Sequence, residues 1–166
     1  MRESVRRARL LLEDAAPLSY DCGELCAKAC CLPDEEGKGG VWLLPGEEQA
    51  LAGEDWARIL PGDIPMLMCQ GPCSRALRPF FCRLFPLMGV RRAGSWQVRM
   101  DRRARPLCPL ARSGTRGLNP AFVEAAGQAV ALVGEDPVCA PILMEWARLE
   151  KRFSPGALWE AAHGED

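Results

Sequence analysis

The chain has 166 residues, 48% of them apolar and 26% charged, with a formal net charge of −1. That is enough apolar material to bury a core in one domain, read as residues 1–166, so a metal is not required as the only source of stability. No stretch approaches the ~20 apolar residues that span a bilayer, and Leu10-Leu11-Leu12 runs at once into Glu13-Asp14, which is too short and too acidic for an export signal. The expectation is a cytoplasmic protein with no membrane association.

In chain order, Glu3 to Ala15 reads as a short amphipathic helix with Val5, Leu10 and Leu12 near one face. A cysteine-bearing stretch follows, from Asp21 to Leu32. The glycine-rich Glu36-Gly37-Lys38-Gly39-Gly40 reads as a turn, Val41-Trp42-Leu43-Leu44 as a strand, and Pro45-Gly46-Glu47-Glu48 as a helix start. The middle of the chain, punctuated by prolines 61, 65, 72, 79 and 86, reads as irregular. Alternation in Trp96-Gln97-Val98-Arg99-Met100, after a turn at Ala93-Gly94-Ser95, predicts a β-hairpin over Val90 to Asp101. Asn119 and Pro120 open a helix running to about Val133. A second helix, from about Pro137 to Phe153, carries Ile142, Leu143, Trp146 and Leu149 at helical spacing. The expected fold class is α+β: a small irregular cysteine-rich part over 20–110, with short helices and a hairpin around a metal cluster, then a helical part over 119–153.

Nine cysteines is a high count for a chain without an export signal, and an odd number leaves one without a disulfide partner. Eight of them, Cys22, Cys26, Cys30, Cys31, Cys69, Cys73, Cys82 and Cys108, fall in three packets and are the candidate metal ligands; Cys139 stands apart and reads as core. Soft thiolates suit zinc or an iron–sulfur cluster, so either is the expected cofactor. On a straight helix Cys22 and Cys30 would lie about 12 Å apart, too far for one ion with zinc–sulfur bonds of about 2.3 Å. Either the segment is a loop, or its cysteines divide between two sites; the adjacent Cys30 and Cys31 favour division, because consecutive side chains tend to point different ways. Residues 75–116 hold eleven arginines against one acid, Asp101. Arg75, Arg78 and Arg83, close in sequence to Cys73 and Cys82, are candidates to bond sulfur and balance thiolate charge, whereas Arg102, Arg103 and Arg105 read as surface groups.

Tyr20-Asp21-Cys22-Gly23-Glu24-Leu25-Cys26-Ala27-Lys28-Ala29-Cys30-Cys31 resembles the leading CxxCxxCC motif of the YkgJ-type cysteine-cluster proteins, with three residues in each gap instead of two. Cys73 and the segment Arg78-Pro79-Phe80-Phe81-Cys82-Arg83-Leu84-Phe85-Pro86 resemble that family's later cysteine and its RPxxCRxFP segment, while Cys69 and Cys108 resemble flanking cysteines. The resemblance covers about residues 20–110 and implies chelation of zinc or iron. Flagellin lysine N-methylases resemble the same cysteine domain, but this chain has no glycine-rich strand-to-helix loop for a nucleotide-type cofactor.

The expected function is therefore metal binding. The alternatives are an iron–sulfur redox protein, an accessory subunit in protein modification, or a zinc module that binds nucleic acid through the 75–116 segment. Acidic flanks and few interleaved aromatics disfavour the nucleic-acid reading, and a protein partner stays open. The single histidine, His163, sits in the terminal tail and gives acid–base or Cys–His catalysis little support, so catalysis is left undecided.

Overall fold

Helices and two small antiparallel sheets share the chain in the computed structural model, which describes residues 1–31, 40–70 and 73–152. The class is α+β, as expected. The first helix, α1 (Glu3–Leu11), buries Val5, Ala8 and then Leu12, the i, i+3, i+7 stripe of one helical face. It stops four residues short of Ala15, because the Glu13 and Ala15 carbonyls accept from the Arg75 guanidinium at 2.7 and 2.8 Å instead of from helical N–H groups.

The middle of the chain is more regular than the prolines suggest. Strands β1 (Val41–Trp42), β2 (Ala57–Leu60) and β3 (Met66–Cys69) form a sheet in the order β1-β3-β2, pairing Val41 with Leu67 and Ala57 with Cys69. The two longer strands have four residues each and no clean alternation, so periodicity did not mark them. The strand expected over 41–44 ends at Trp42, and Leu43 and Leu44 turn inward to full burial. Helix α2 is a single turn, Glu47–Ala50, and α3 is Phe80–Leu84. Residues 36–39 of the expected glycine turn lie outside the described residues, as do Leu32, Phe153 and His163.

The predicted hairpin is present and longer: β4 (Leu87–Arg92) pairs with β5 (Ser95–Met100) across a two-residue turn in which both Ala93 and Gly94 are left-handed. Helix α4 (Pro120–Glu135) opens as expected, with the Asn119 side chain accepting the Ala121 N–H at 3.1 Å. Helix α5 (Ala140–Arg152) begins three residues later than expected, since Asp136 ties down the intervening turn by accepting the Val138 N–H on its side chain and the Ala140 N–H on its carbonyl. The main core gathers Val5, Phe80, Phe81, Leu84, Phe122, Ala126, Val130 and Leu143. Trp96 packs on it so closely that a Cβ at Gly134 would lie 2.3 Å from the indole. Cys139 is fully buried there, in the core role expected of it.

Candidate metal centre

The first packet is a loop. Cys22 opens a 3-10 turn (Cys22–Leu25) capped by Asp21, whose side chain accepts the Gly23 N–H at 3.0 Å. Ala27 and Lys28 then both adopt left-handed backbone, with φ of 47° and 59°, and reverse the chain into a second 3-10 turn, Ala29–Cys31. That reversal removes the axial separation a straight helix would impose. Cys30 and Cys31 do not point apart: their sulfurs are 3.9 Å from each other.

The other candidates come from separate elements. Cys69 is the last residue of β3, and Cys73 precedes a 3-10 turn over Arg75–Leu77. Cys82 sits in α3, directly after the buried Phe80 and Phe81 and before the buried Arg83 and Leu84. Phe81 stacks on Trp146 of α5, with ring centroids 4.7 Å apart. Cys108 is buried at the start of a further 3-10 stretch (Pro109–Gly117), beside Ala104 and Ala111. Cys30 is exposed, and Cys22, Cys26, Cys31, Cys69, Cys73 and Cys82 are half-buried.

Neighbouring thiols among these eight influence one another pairwise, and none of the eight is among the groups that act on Cys139. Burial raises the Cys22 thiol, followed by Asp21 and the neighbouring Cys108 and Cys26, while Arg78 opposes. Burial pushes Cys69 up to about 11, with Cys73 and Cys31 adding to it. Cys82 is raised well above the ordinary range by burial, and then by Cys69, Cys31 and Cys73. Cys30 and Cys31 share a hydrogen bond that raises Cys30 and holds Cys31 down to about 6, helped at Cys31 by Arg78 and Lys28. Cys30 also feels Cys26 and Cys82. Cys139 answers to burial, Asp136, Arg2, Ser4 and Glu47, and of these groups shares only Glu47 with Cys82.

Among the arginines only Arg78 takes up the expected place beside sulfur. Its guanidinium is influenced electrostatically by Cys73 and Cys31. The buried Arg83 instead donates to the carbonyls of Arg78, Arg75 and Ala76 at 2.8–2.9 Å, and the exposed Arg75 donates to those of Glu13 and Ala15. Arg103 is not a free surface group either: it pairs with Asp101 at 2.8 Å and lies 4.4 Å over the Trp146 ring. Arg102 and Arg105 are exposed, as expected.

Glu47 was not singled out from sequence, where it read only as an acid in a first helical turn. It is fully buried and accepts from the Leu44 and Phe80 backbone N–H groups at 2.9 and 2.8 Å, capping the helix that carries Cys82. Burial raises its carboxyl to about 7 despite those bonds and Arg9.

The donors are of the type that suits zinc or an iron–sulfur cluster, and Arg78 would supply compensating charge. Arg78 Nε is buried without a hydrogen-bond partner, a donor that a nearby thiolate would satisfy. Among the described residues, however, no three Cys, His, Asp or Glu side chains are close enough as they stand to hold one ion. The thiols are assembled in one region, but their sulfurs are not drawn around a common point. The described residues include no helix long and apolar enough to cross a membrane. Compared with known proteins, the chain matches no family model, no curated protein and no solved structure.

Proposed function

We propose that the chain is a cytoplasmic metal-binding protein of the YkgJ-type cysteine-cluster kind, holding zinc or an iron–sulfur cluster through Cys22, Cys26, Cys30, Cys31, Cys69, Cys73, Cys82 and Cys108. What supports the reading is proximity among thiols: the Cys30 and Cys31 sulfurs lie 3.9 Å apart, Cys31 and Cys73 act on Cys69 and Cys82, and Cys26 and Cys108 act on Cys22, while the ninth cysteine is buried in the core. Packing alone gives no reason for half-buried thiols to gather. Most of the shifted thiols are raised, so without an ion they are neutral at neutral pH; a bound metal would convert them to thiolates and release protons. The chain's own residues would hold the group, with Arg78 balancing its charge and Glu47 fixing the helix under Cys82. When bound, such a group supplies structural cross-linking if it is zinc and electron transfer if it is iron–sulfur.

Anaerobic purification followed by elemental analysis and a visible spectrum tests this. Stoichiometric zinc or iron is the expected result, and a chain free of both would end the reading. Visible absorption that bleaches on reduction would place the protein with iron–sulfur redox proteins; a colourless zinc protein would exclude that.

A further inference from the structure

Among the described residues, Cys30 and Cys31 are the one pair of cysteine sulfurs in hydrogen-bond contact, 3.9 Å apart. The turn that carries them is held by its backbone: the Ala29 N–H donates to the Cys26 carbonyl at 3.0 Å, and the Cys31 N–H to the Lys28 carbonyl at 2.8 Å. Cys26, the nearest other cysteine in the chain, turns its sulfur to the Cys22 carbonyl instead, 4.0 Å away. Cys30 is exposed and Cys31 half-buried, so a reagent in solution reaches the pair from the Cys30 side. Two thiols in contact at the surface can do what a single thiol cannot: one can react and the other can resolve the product.

We propose that Cys30 and Cys31 are a site of reversible oxidation, closing to a vicinal disulfide by exchange with a small disulfide of the glutathione class. One cysteine thiolate attacks a sulfur of the small disulfide, which forms a mixed disulfide and releases one small thiol. The thiolate of the other cysteine then attacks the protein sulfur of that mixed disulfide, closes the bond and releases the second small thiol. The cysteine pair gives up two protons and two electrons, and the small disulfide takes them as two thiols. From 3.9 Å to an S–S bond of about 2.05 Å, the gap to close is about 1.9 Å. The second step is intramolecular between thiols already in contact, so it outruns the arrival of another small molecule.

Covalent geometry makes this bond a switch rather than a staple. Consecutive Cα atoms are about 3.8 Å apart across a trans peptide, less than the roughly 4.4–6.8 Å that most disulfides span. A bond closed over so short a span is strained, and strained, exposed disulfides are the ones that small thiols reopen most readily. It therefore forms when the pool of small disulfide rises and opens again when that pool falls. The bond itself does not depend on the metal-binding reading. Its consequence for the metal rests on that reading: closing it would withdraw two of the eight candidate ligands, so oxidation would loosen the ion and a bound ion would shield the pair.

The test uses the full wild-type chain, freed of metal with a chelator and held in glutathione buffers of graded oxidation, then alkylated and digested with trypsin. Cleavage after Lys28 and Lys38 gives the peptide 29–38, which contains Cys30 and Cys31 and no other cysteine. Mass spectrometry is expected to show this peptide losing both alkyl groups together and appearing with an internal disulfide as the buffer is oxidised, and dithiothreitol is expected to reverse the change. A peptide alkylated at both cysteines throughout, one that stops at a glutathione adduct, or one bonded to another part of the chain would overturn the inference. The same titration on the zinc-loaded chain is expected to form the bond more slowly and to release zinc to a colorimetric chelator as it forms. Full retention of zinc while the bond forms would overturn the withdrawal of donors. A chain that takes up no zinc but closes the bond would end the metal-binding reading and leave the disulfide standing.

Discussion

The helical and hairpin part of the molecule and its cysteine-bearing part are held by different means. Around α1, α4, α5 and the β4–β5 hairpin, large side chains such as Phe122, Leu84 and Leu143 are fully buried, and polar groups are matched. Glu150, nearly buried, takes both Nη atoms of Arg99 (Nη1 at 2.7 Å) and the Arg102 N–H at 2.8 Å. The segments carrying Cys22 to Cys31 and Cys73 contain short 3-10 turns, with left-handed backbone at Ala27 and Lys28, and their thiols are half-buried or, at Cys30, exposed. One region is complete through its own contacts, while the other has donors arranged and little between them. Stability should therefore reside in the first and ligand chemistry in the second.

The largest expected effect lies in the core. Phe122→Ala should lower unfolding free energy by about 3–5 kcal/mol in a denaturant titration, whereas Cys73→Ser in metal-free protein should stay within about 0.5 kcal/mol. Equal losses would erase the contrast. Removing Arg99 with Arg99→Met leaves the Glu150 carboxylate without its main partner and should cost about 2 kcal/mol, read the same way and at moderate salt.

Glu47 connects the two regions and gives a pH signature. Its folded carboxyl is raised to about 7 from an ordinary 4.5, so between those values the folded chain binds more protons than the unfolded chain. Its contribution therefore falls as pH rises through that window, the opposite of a paired surface acid. In Glu47→Gln that downward slope should vanish from a plot of stability against pH; an unchanged slope would refute the assignment. The smallest effect is expected at the reversal in the first packet. Ala27→Gly relieves a left-handed alanine and should stabilise metal-free protein by up to about 1 kcal/mol, visible as a small rise in melting temperature.

Legibility in the sequence follows the same division. Helices α1, α4 and α5 and the hairpin could be read because each writes a period or a cap locally: Asn119-Pro120 at a helix start, alternation through Trp96 to Met100. Strands β2 and β3 escaped because four residues are too few to show a period. The candidate ligands were legible by residue type, since thiols cluster visibly in a chain. Their arrangement was not, because it depends on Ala27 and Lys28 adopting a conformation that neither residue type announces. Glu47 was hidden for a similar reason: its partners, Leu44 and Phe80, are brought to it by folding. Arg75 and Arg83 were misplaced because sequence proximity to cysteines says nothing of the carbonyls that claim them first.

The reversal at Ala27–Lys28 has a consequence for kinetics. If the loop binds an ion as proposed, a chain already bent there need not find that bend after the ion arrives, and capture would be a search over sulfur rotamers, each a matter of nanoseconds. Loading would then proceed at the encounter rate, linear in metal concentration, without the plateau that a slow refolding step imposes. Withdrawal of the ion would leave the loop poised for the next one.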